Sequence, residues 1–567
     1  MIIQPVVNIA EICARKGVEH VVLSPGSRCA PLTIAFARHP KLTVRTVSDE
    51  RTAAFIALGM ALTTGMPTVL VCTSGTAALN YAPAVAEAFF QLVPLLVLTA
   101  DRPPEWIDQL DGQTIRQQNI YGQHIKQSYT FPVDFAHPDA VWHSERMVSE
   151  ALNKAVAFPA GPVHINVPLR EPFYPGPGEE VTFDKGVKII EEEHNTFELN
   201  PGQVNQLQQE MQQYSRVLVV AGQGTYEQQL LDSLDLYAET RNAVAVGDII
   251  SNVQGSSLII RYHDALLATP DENKLKELQP DLLITFGKSF ISKGLKLYLR
   301  KYKPEAHWHI QPAGDVADTF QTLTRVVRCA PAHFFSSLAG SQKAVTTSFQ
   351  NVWQAMNEKA GNFLQQHVGE AAHGELAIAA RVLQALPQQS HLHLANSMSV
   401  RYANILALQP TQDVRVYANR GTSGIDGSNS TAVGCALLSS GITTLLTGDL
   451  AFFYDRNGLW HNYLPQNLRI VLLNNHAGGI FRLIDGPKQQ PELEPFFETH
   501  QALNAENTAR DFNMSYHAVH SLAELEEILP EFFSTEAGAG ILEVFTESSG
   551  NAAAFATYRQ EVRKIRY

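Results

Sequence analysis

Two short apolar runs near the carboxyl end of the chain each stop at a polar turn, and the interval between the turns restricts how the segment can fold. The run Ile442 to Leu446 stops at Thr447-Gly448-Asp449-Leu450, and the run Arg469 to Leu473 stops at Asn474-Asn475-His476-Ala477-Gly478-Gly479. Amphipathic residues through Tyr463 predict a helix between them, and Pro465 and Asn467 turn the chain. A strand, a helix and a strand in this order form a βαβ unit, so the strands lie parallel and both turns fall on one sheet edge. Open α/β sheets bind ligands at that edge. Asp449 and Asn475 place a carboxylate and a carboxamide there, beside glycines that allow close backbone approach. Such a set suits a hard cation carrying a diphosphate. A strand-end Asp or Asn alone would more often just cap a turn.

The first 180 residues show the same alternation. Strands are expected at His20 to Leu23, Leu42 to Thr46, Thr68 to Cys72 and Leu95 to Leu98, each followed by a polar turn and a helical stretch. The turns read Ser24-Pro25-Gly26-Ser27-Arg28, Asp49-Glu50-Arg51, Thr73-Ser74-Gly75-Thr76 and Thr99-Ala100-Asp101-Arg102. Strands alternating with helices predict an α/β class fold with parallel sheets covered on both faces. The two ends of the chain also echo one another. Gly59 precedes Gly75 by 16 residues, and Gly434 precedes Gly448 by 14, in matching successions of helix, strand and turn. Two α/β domains of like topology are therefore expected.

At 567 residues the chain is too long for one core. We divide it into an α/β domain over 1–180, a middle α/β domain over 200–340 and a last α/β domain over 373–567, all doubly wound. A Pro- and Gly-rich linker with acidic residues Glu191 to Glu193 follows the first, and 341–372 reads as a partly helical connector. Gly222-Gln223-Gly224 after a middle-domain strand is a lone GxG and reads as a tight turn rather than a dinucleotide site. A net charge of −13 argues against nucleic acid as a partner. The five cysteines have no CxxC spacing, which fits a reducing compartment without structural zinc. No apolar run is long enough for a membrane span, and no signal-peptide pattern opens the chain. A cytoplasmic protein is expected.

The Gly-Asp, the interval of 28 residues from Gly448 to Asn475 counted inclusively, and the closing Asn-Asn resemble the signature of thiamine-diphosphate enzymes. In that family the Asp, the second Asn and a backbone carbonyl two residues on bind magnesium or manganese; the positions here are Asp449, Asn475 and Ala477. Leu450 replaces the usual third Gly of the signature. The resemblance implies a cofactor site that includes Ser74, Gly75, Ile425, Gly448, Asp449, Leu450 and Asn475. It makes Glu50 the catalytic carboxyl that bonds the cofactor's aminopyrimidine ring, and Ile425 the apolar prop beneath it. The same resemblance implies a homodimer or homotetramer with each site between subunits.

Arg28, Arg102, Arg116, Arg401 and Arg420 each follow a predicted strand end or turn. One arginine alone is more often half of a surface ion pair. Several on the ligand edge of an acidic protein point to substrates with more than one carboxylate. The stretches SPGSR, DERTAAFIALG, TSGTA, TADRPPE, QTIRQ, NRGTSGIDG and GDLAFFYDRN look like the branch of the family that serves menaquinone biosynthesis. These synthases decarboxylate 2-oxoglutarate and add the succinyl unit to isochorismate in a 1,4 fashion. The resemblance implies substrate roles for Arg28, Arg102, Gln113, Arg401 and Arg420, with Ser27, Ser397 and Lys293 weaker candidates, and an apolar wall from Ile480 and Phe481. The alternatives are another 2-oxo acid enzyme of the family, such as an acetohydroxyacid synthase, and a non-catalytic diphosphate-binding protein.

Overall fold

The computed structural model describes residues 2–567 except 172, 194, 195, 341 and 343–346. Pro172 of the expected linker and part of the 341–372 connector therefore lie outside the described residues. Three six-stranded sheets organise the chain, and their strand pairs are parallel. The first is built from strands between His20 and Pro168, the second between Val217 and Val327, and the third between Ser390 and Phe545. Central strands such as Thr68–Cys72 and Leu468–Asn474 are buried along their whole length, as sheets with helices on both faces require.

The first and third sheets share one topology. Numbered within each sheet, their strands run 2-1-3-4-6-5, so the expected likeness of the two ends holds. In such a sheet the chain leaves strand 1 toward opposite edges, and the crevice between strands 1 and 3 is where ligands bind. In the first sheet that crevice is flanked by the turns after His20–Leu23 and Thr68–Cys72. In the third it is flanked by those after Ser390–Leu394 and Thr443–Gly448. The middle sheet runs 3-2-1-4-5-6 instead. Its switch point falls between Val217–Ala221 and Leu282–Phe286.

One expectation needs correction. The helix expected through Tyr463 stops at Tyr454, and a 3-10 turn follows over Arg456–Leu459. Asp455 ends it: the carboxyl turns inward to accept from Ser430 N (2.7 Å) and Ser430 Oγ (2.8 Å). Within the connector, Ser348–Glu370 is a single 23-residue helix. It buries Phe349, Trp353, Met356, Ala360, Leu364 and Val368, at the three- and four-residue spacing of one helix face. Its polar composition had hidden that stripe. All five cysteines are free and buried, and no described helix is long and apolar enough to cross a membrane.

Candidate active site

Asp449 opens the helix Asp449–Tyr454 directly after its strand, and Asn475 follows the neighbouring strand Leu468–Asn474. Parallel register pairs Gly448 with Leu473, so the two side chains leave one edge side by side. Asp449 is only 3% exposed. Its carboxylate accepts from Gln501 Nε2 (2.8 Å) and from Leu450 N (2.9 Å), and no Lys or Arg pairs with it among the described residues. Burial pushes the Asp449 carboxyl above its ordinary range. Asn475 donates through Nδ2 to Glu375 Oε1 (2.6 Å), and its Oδ1 accepts from Ala477 N (2.9 Å). Glu375, 4% exposed, is itself pushed up to about 7, first by burial, with the Asp449 charge adding to it. Two buried carboxyls thus stand together with no Lys or Arg paired to either among the described residues. Gly448 faces open space: a Cβ there would meet nothing within 4 Å.

Glu50 is the first residue of the helix Glu50–Thr64, which Asp49 caps by accepting from Thr52 N (3.2 Å). Its half-buried carboxyl has no hydrogen bond or ion pair among the described residues, and its charge reaches Cys72 and Tyr81. The turn beyond Cys72 is shaped for a ligand. Gly75 has φ +84°, and the buried Thr73 Oγ1 and Ser74 Oγ have no hydrogen-bond partner among the described residues. Gly75 N donates to Gln117 Oε1 (2.7 Å), and Gln117 Nε2 is held by Ala100 O and Asn166 Oδ1, each at 3.0 Å. A Cβ on Gly75 would lie 3.3 Å from the Cα of Gln113, which ties the Gln113 segment to this turn. Gln117 closes the QTIRQ stretch whose first residue had been singled out.

The arginines divide. Arg28 is buried and donates through Nη1 to Leu169 O (2.9 Å) and Arg170 O (3.0 Å). Burial, and then the nearby Arg102 charge, lower its pKa from the usual guanidinium range. Arg102 pairs with Asp111 (3.2 Å), while its buried Nε lacks a partner. Arg116 instead points outward at 81% exposure and pairs with Asp108 (3.0 Å), so it does not join the others. Arg420 donates through Nη1 to Asn396 Oδ1 (2.8 Å), and its Nε is likewise buried without a partner. Arg401 lies in the helix following Ser397, bonds the Ser397 carbonyl, and is lowered by burial and then by the charge of Arg420. Lys296, one turn beyond Lys293, is lowered by burial and is also repelled by Arg420 and Arg401. It was not foreseen. Lys293 is exposed at the start of its helix, and its charge reaches Asp485. Ile480 and Phe481 lie in the 3-10 turn Gly479–Arg482, with the Phe481 ring 5.8 Å from that of Phe497. Ile425 is 38% exposed.

Residues 7–127 match the family described as thiamine pyrophosphate enzyme, N-terminal TPP binding domain, and residues 193–394 that described as middle domain of thiamine pyrophosphate. A 2-succinyl-5-enolpyruvyl-6-hydroxy-3-cyclohexene-1-carboxylate synthase from Cytophaga hutchinsonii is 45% identical over 561 residues, covering 99% of each chain. Synthases of the same name from Flavobacterium johnsoniae (37% identical, 98% of each chain) and Porphyromonas gingivalis (36% identical, 97% of this chain and 96% of the relative) also align end to end. The chain belongs to this synthase family. It is a thiamine-diphosphate-dependent enzyme of that type.

The donor atoms at the third-sheet edge fit a divalent cation. Asp449, Asn475 and the Ala477 carbonyl offer one carboxylate and two neutral oxygens, a donor set for a hard divalent cation. Among the described residues no group of three or more His, Cys, Asp or Glu could hold a metal, so the candidate set draws on an amide and a main-chain oxygen beside its one carboxylate. The uncompensated burial of Asp449 and Glu375 is the electrostatic deficit that such a cation offsets. Glu375 and Gln501 orient the other two side chains and were not foreseen. Glu375 lies 100 residues before its partner Asn475 and outside any local motif, so only the fold brings it there.

Proposed function

We propose that the protein catalyses decarboxylation of 2-oxoglutarate and 1,4-addition of the resulting succinyl unit to isochorismate. The product is 2-succinyl-5-enolpyruvyl-6-hydroxy-3-cyclohexene-1-carboxylate, and carbon dioxide is released. The observation that carries this reading is the 45% identity over 99% of both chains to a synthase of that name. The buried Nε atoms of Arg102 and Arg420, which have no partner among the described residues, support a substrate with several carboxylates, because a buried donor left unsatisfied is costly.

In this reading Asp449, Asn475 and the Ala477 carbonyl would hold Mg2+, or Mn2+, and Gly448 and Leu450 would bind the diphosphate. Ile425 would supply an apolar contact to the cofactor, and Ser74 and Gly75 would bind it as well. Bound there, thiamine diphosphate supplies a nucleophilic carbon that none of these side chains offers. Glu50 holds a proton at the aminopyrimidine ring, a carboxyl free of competing protein partners. Arg28, Arg102, Arg401 and Arg420, with Lys293, Gln113 and Ser397, pair with substrate carboxylates and hydroxyls. Ile480 and Phe481 keep water from the reacting end. Glu50 comes from one chain and Asp449 from a second, so the working unit is a homodimer or a pair of dimers, placed in the cytoplasm. The three domains carry, in order, the pyrimidine end, the middle sheet and the diphosphate end.

The test incubates the protein with thiamine diphosphate, Mg2+, 2-oxoglutarate and isochorismate and follows isochorismate absorbance together with carbon dioxide. Loss of isochorismate that depends on 2-oxoglutarate is expected. Turnover of pyruvate with no dependence on 2-oxoglutarate would overturn the reading.

A further inference from the structure

The switch-point crevice of the middle sheet, where a sheet of this strand order would receive a ligand, is filled by the protein itself. Its two turns close on each other: a Cβ on Gly222 would lie 2.4 Å from Lys288 O, and one on Gly287 would lie 2.7 Å from Gly222 O. From this closed pair, Gln223 Nε2 donates to Gln91 Oε1 (3.0 Å) in the first domain and to Ala418 O (3.0 Å) in the last. Lys288 Nζ donates to Gln91 O (2.5 Å), and burial lowers its ammonium to about 8.

Gln91 lies one helical turn beyond Glu87 on the helix Ala82–Gln91 and donates through Nε2 to Glu87 Oε1 (2.6 Å). Glu87 is 1% exposed. Its carboxylate accepts three further bonds, all from the segment that carries Arg420: Gly421 N (2.7 Å), Thr422 N (2.6 Å) and Thr422 Oγ1 (2.5 Å). The approach is so close that a Cβ on Gly421 would lie 2.7 Å from Glu87 O. Four donors match the acceptor capacity of an ionised carboxylate, which makes its burial tolerable and its geometry stiff. From the other side, Asn396 Nδ2 donates to Asn419 O (2.7 Å) and Gly424 O (2.6 Å), and Asn396 Oδ1 receives Arg420 Nη1.

We propose that Glu87 is a positioning residue for substrate binding: by clamping Gly421 and Thr422 it fixes the 418–427 segment and aims the Arg420 guanidinium at a substrate carboxylate. The middle domain takes part by bracing Gln91, and through it Glu87. This proposal rests on the substrate role given to Arg420 above. A Gln at 87 keeps the shape but turns an amide donor toward a ring of donors, so the segment shifts while the two sheets stay packed.

The test uses the full-length protein with thiamine diphosphate and Mg2+. Arg420→Met, Glu87→Gln and the double variant are compared for KM of each substrate, kcat, calorimetric Kd of isochorismate without 2-oxoglutarate, and denaturation temperature. Glu87→Gln is expected to raise KM about tenfold for the same substrate that Arg420→Met affects. The double variant should be within about twofold of Arg420→Met, because both changes remove one interaction. Multiplicative losses in the double variant, or normal binding by Glu87→Gln beside an impaired Arg420→Met, overturn the clamp alone. Normal binding of both substrates by Arg420→Met overturns the role of Arg420 and the clamp with it. If Glu87→Gln does not fold, Thr422→Val removes only the hydroxyl bond; a KM raised about threefold at unchanged denaturation temperature is expected, and an unchanged KM overturns the clamp.

Discussion

Gly59 and Gly434 stand back to back where the helix Glu50–Thr64 meets the helix Ser428–Ala436. A Cβ on Gly434 would lie 2.1 Å from Ile56 O and 3.0 Å from the Gly59 Cα, and one on Gly59 would lie 2.1 Å from Thr431 O. The two glycines that mark the echo between the ends of the sequence are thus in contact. They pack the helix that begins with Glu50 against the helix that follows the Arg420–Ile425 turn.

That contact leaves no room for a methyl group. Gly434→Ala should destabilise the protein by about 1 to 3 kcal/mol, read as a lower denaturation temperature. Gly448→Ala is the internal control. Its added methyl meets nothing within 4 Å, so the denaturation temperature of the apoprotein should not change, while thiamine-diphosphate affinity should fall because the methyl enters the diphosphate space. Equal thermal effects from the two substitutions would contradict this packing argument.

Asp449 is buried beside Glu375 with no paired cation, so the apoprotein carries its charge at a cost. Asp449→Asn should leave the apoprotein at least as stable as wild type. It should also abolish most of the stabilisation that saturating thiamine diphosphate and Mg2+ give to wild type, on the order of 3 kcal/mol at a hundredfold excess over Kd. Thermal denaturation with and without cofactor measures both. A full cofactor-induced shift in the variant would remove Asp449 from the metal site.

Glu50 has no protein partner to lose, so Glu50→Gln should fold normally and keep cofactor affinity. Its turnover should drop about 10²- to 10⁴-fold, the range for a removed proton-transfer group. Hydrogen–deuterium exchange at the cofactor C2 should slow in parallel. Exchange at the wild-type rate would contradict the role.

Much of the fold was legible because the strand ends carry their own punctuation. Gly17 closes the first helix at φ +83°, and SPGSR, TSGT and GDL fall on the switch-point turns. The helix Ser348–Glu370 was less legible, since its apolar face is sparse among glutamines and asparagines. In the site, the sequence offers as candidates the residues whose type suits a ligand: Asp449, Asn475, Glu50 and the arginines. Residues that act through a distant partner could not be read. Glu375 reaches Asn475 across 100 residues, and Glu87 reaches Gly421 across 334; no local pattern encodes such pairs. Arg116 failed for the converse reason. Its position beside a turn says nothing of direction, and Asp108 draws it to the surface.

Asp455 gives a pH signature independent of cofactor. Fully buried, its carboxyl is pushed by desolvation from an ordinary 3.8 up to about 7. Between those values the native protein holds a proton that the unfolded chain has released. Stability should therefore fall as pH rises from about 4 to 7 and level off above, by a few kcal/mol at most from this group. Asn at 455 can keep both contacts, because the Ser430 hydroxyl can turn to accept. Asp455→Asn should make the profile of denaturation temperature against pH shallower over this interval, the remaining slope coming from Glu375; an unchanged slope would refute the assignment.

Within one chain, the neighbours of Glu50 are tied to the far end of the segment that Asp449 begins. Arg51 Nη2 donates to Tyr454 O (2.9 Å), and Asn457 Nδ2 donates to Asp49 Oδ2 (2.8 Å). In the proposed function it is a second chain that brings Glu50 to the diphosphate edge. Co-expression of Glu50→Gln and Asp449→Ala chains, each with its own affinity tag, isolates the mixed assembly. Each mixed dimer should contain one site with both defects and one with neither, so about half of wild-type turnover per dimer should return. Turnover no higher than that of the two inactive parents would show that the carboxyl and the metal ligands serve within a single chain.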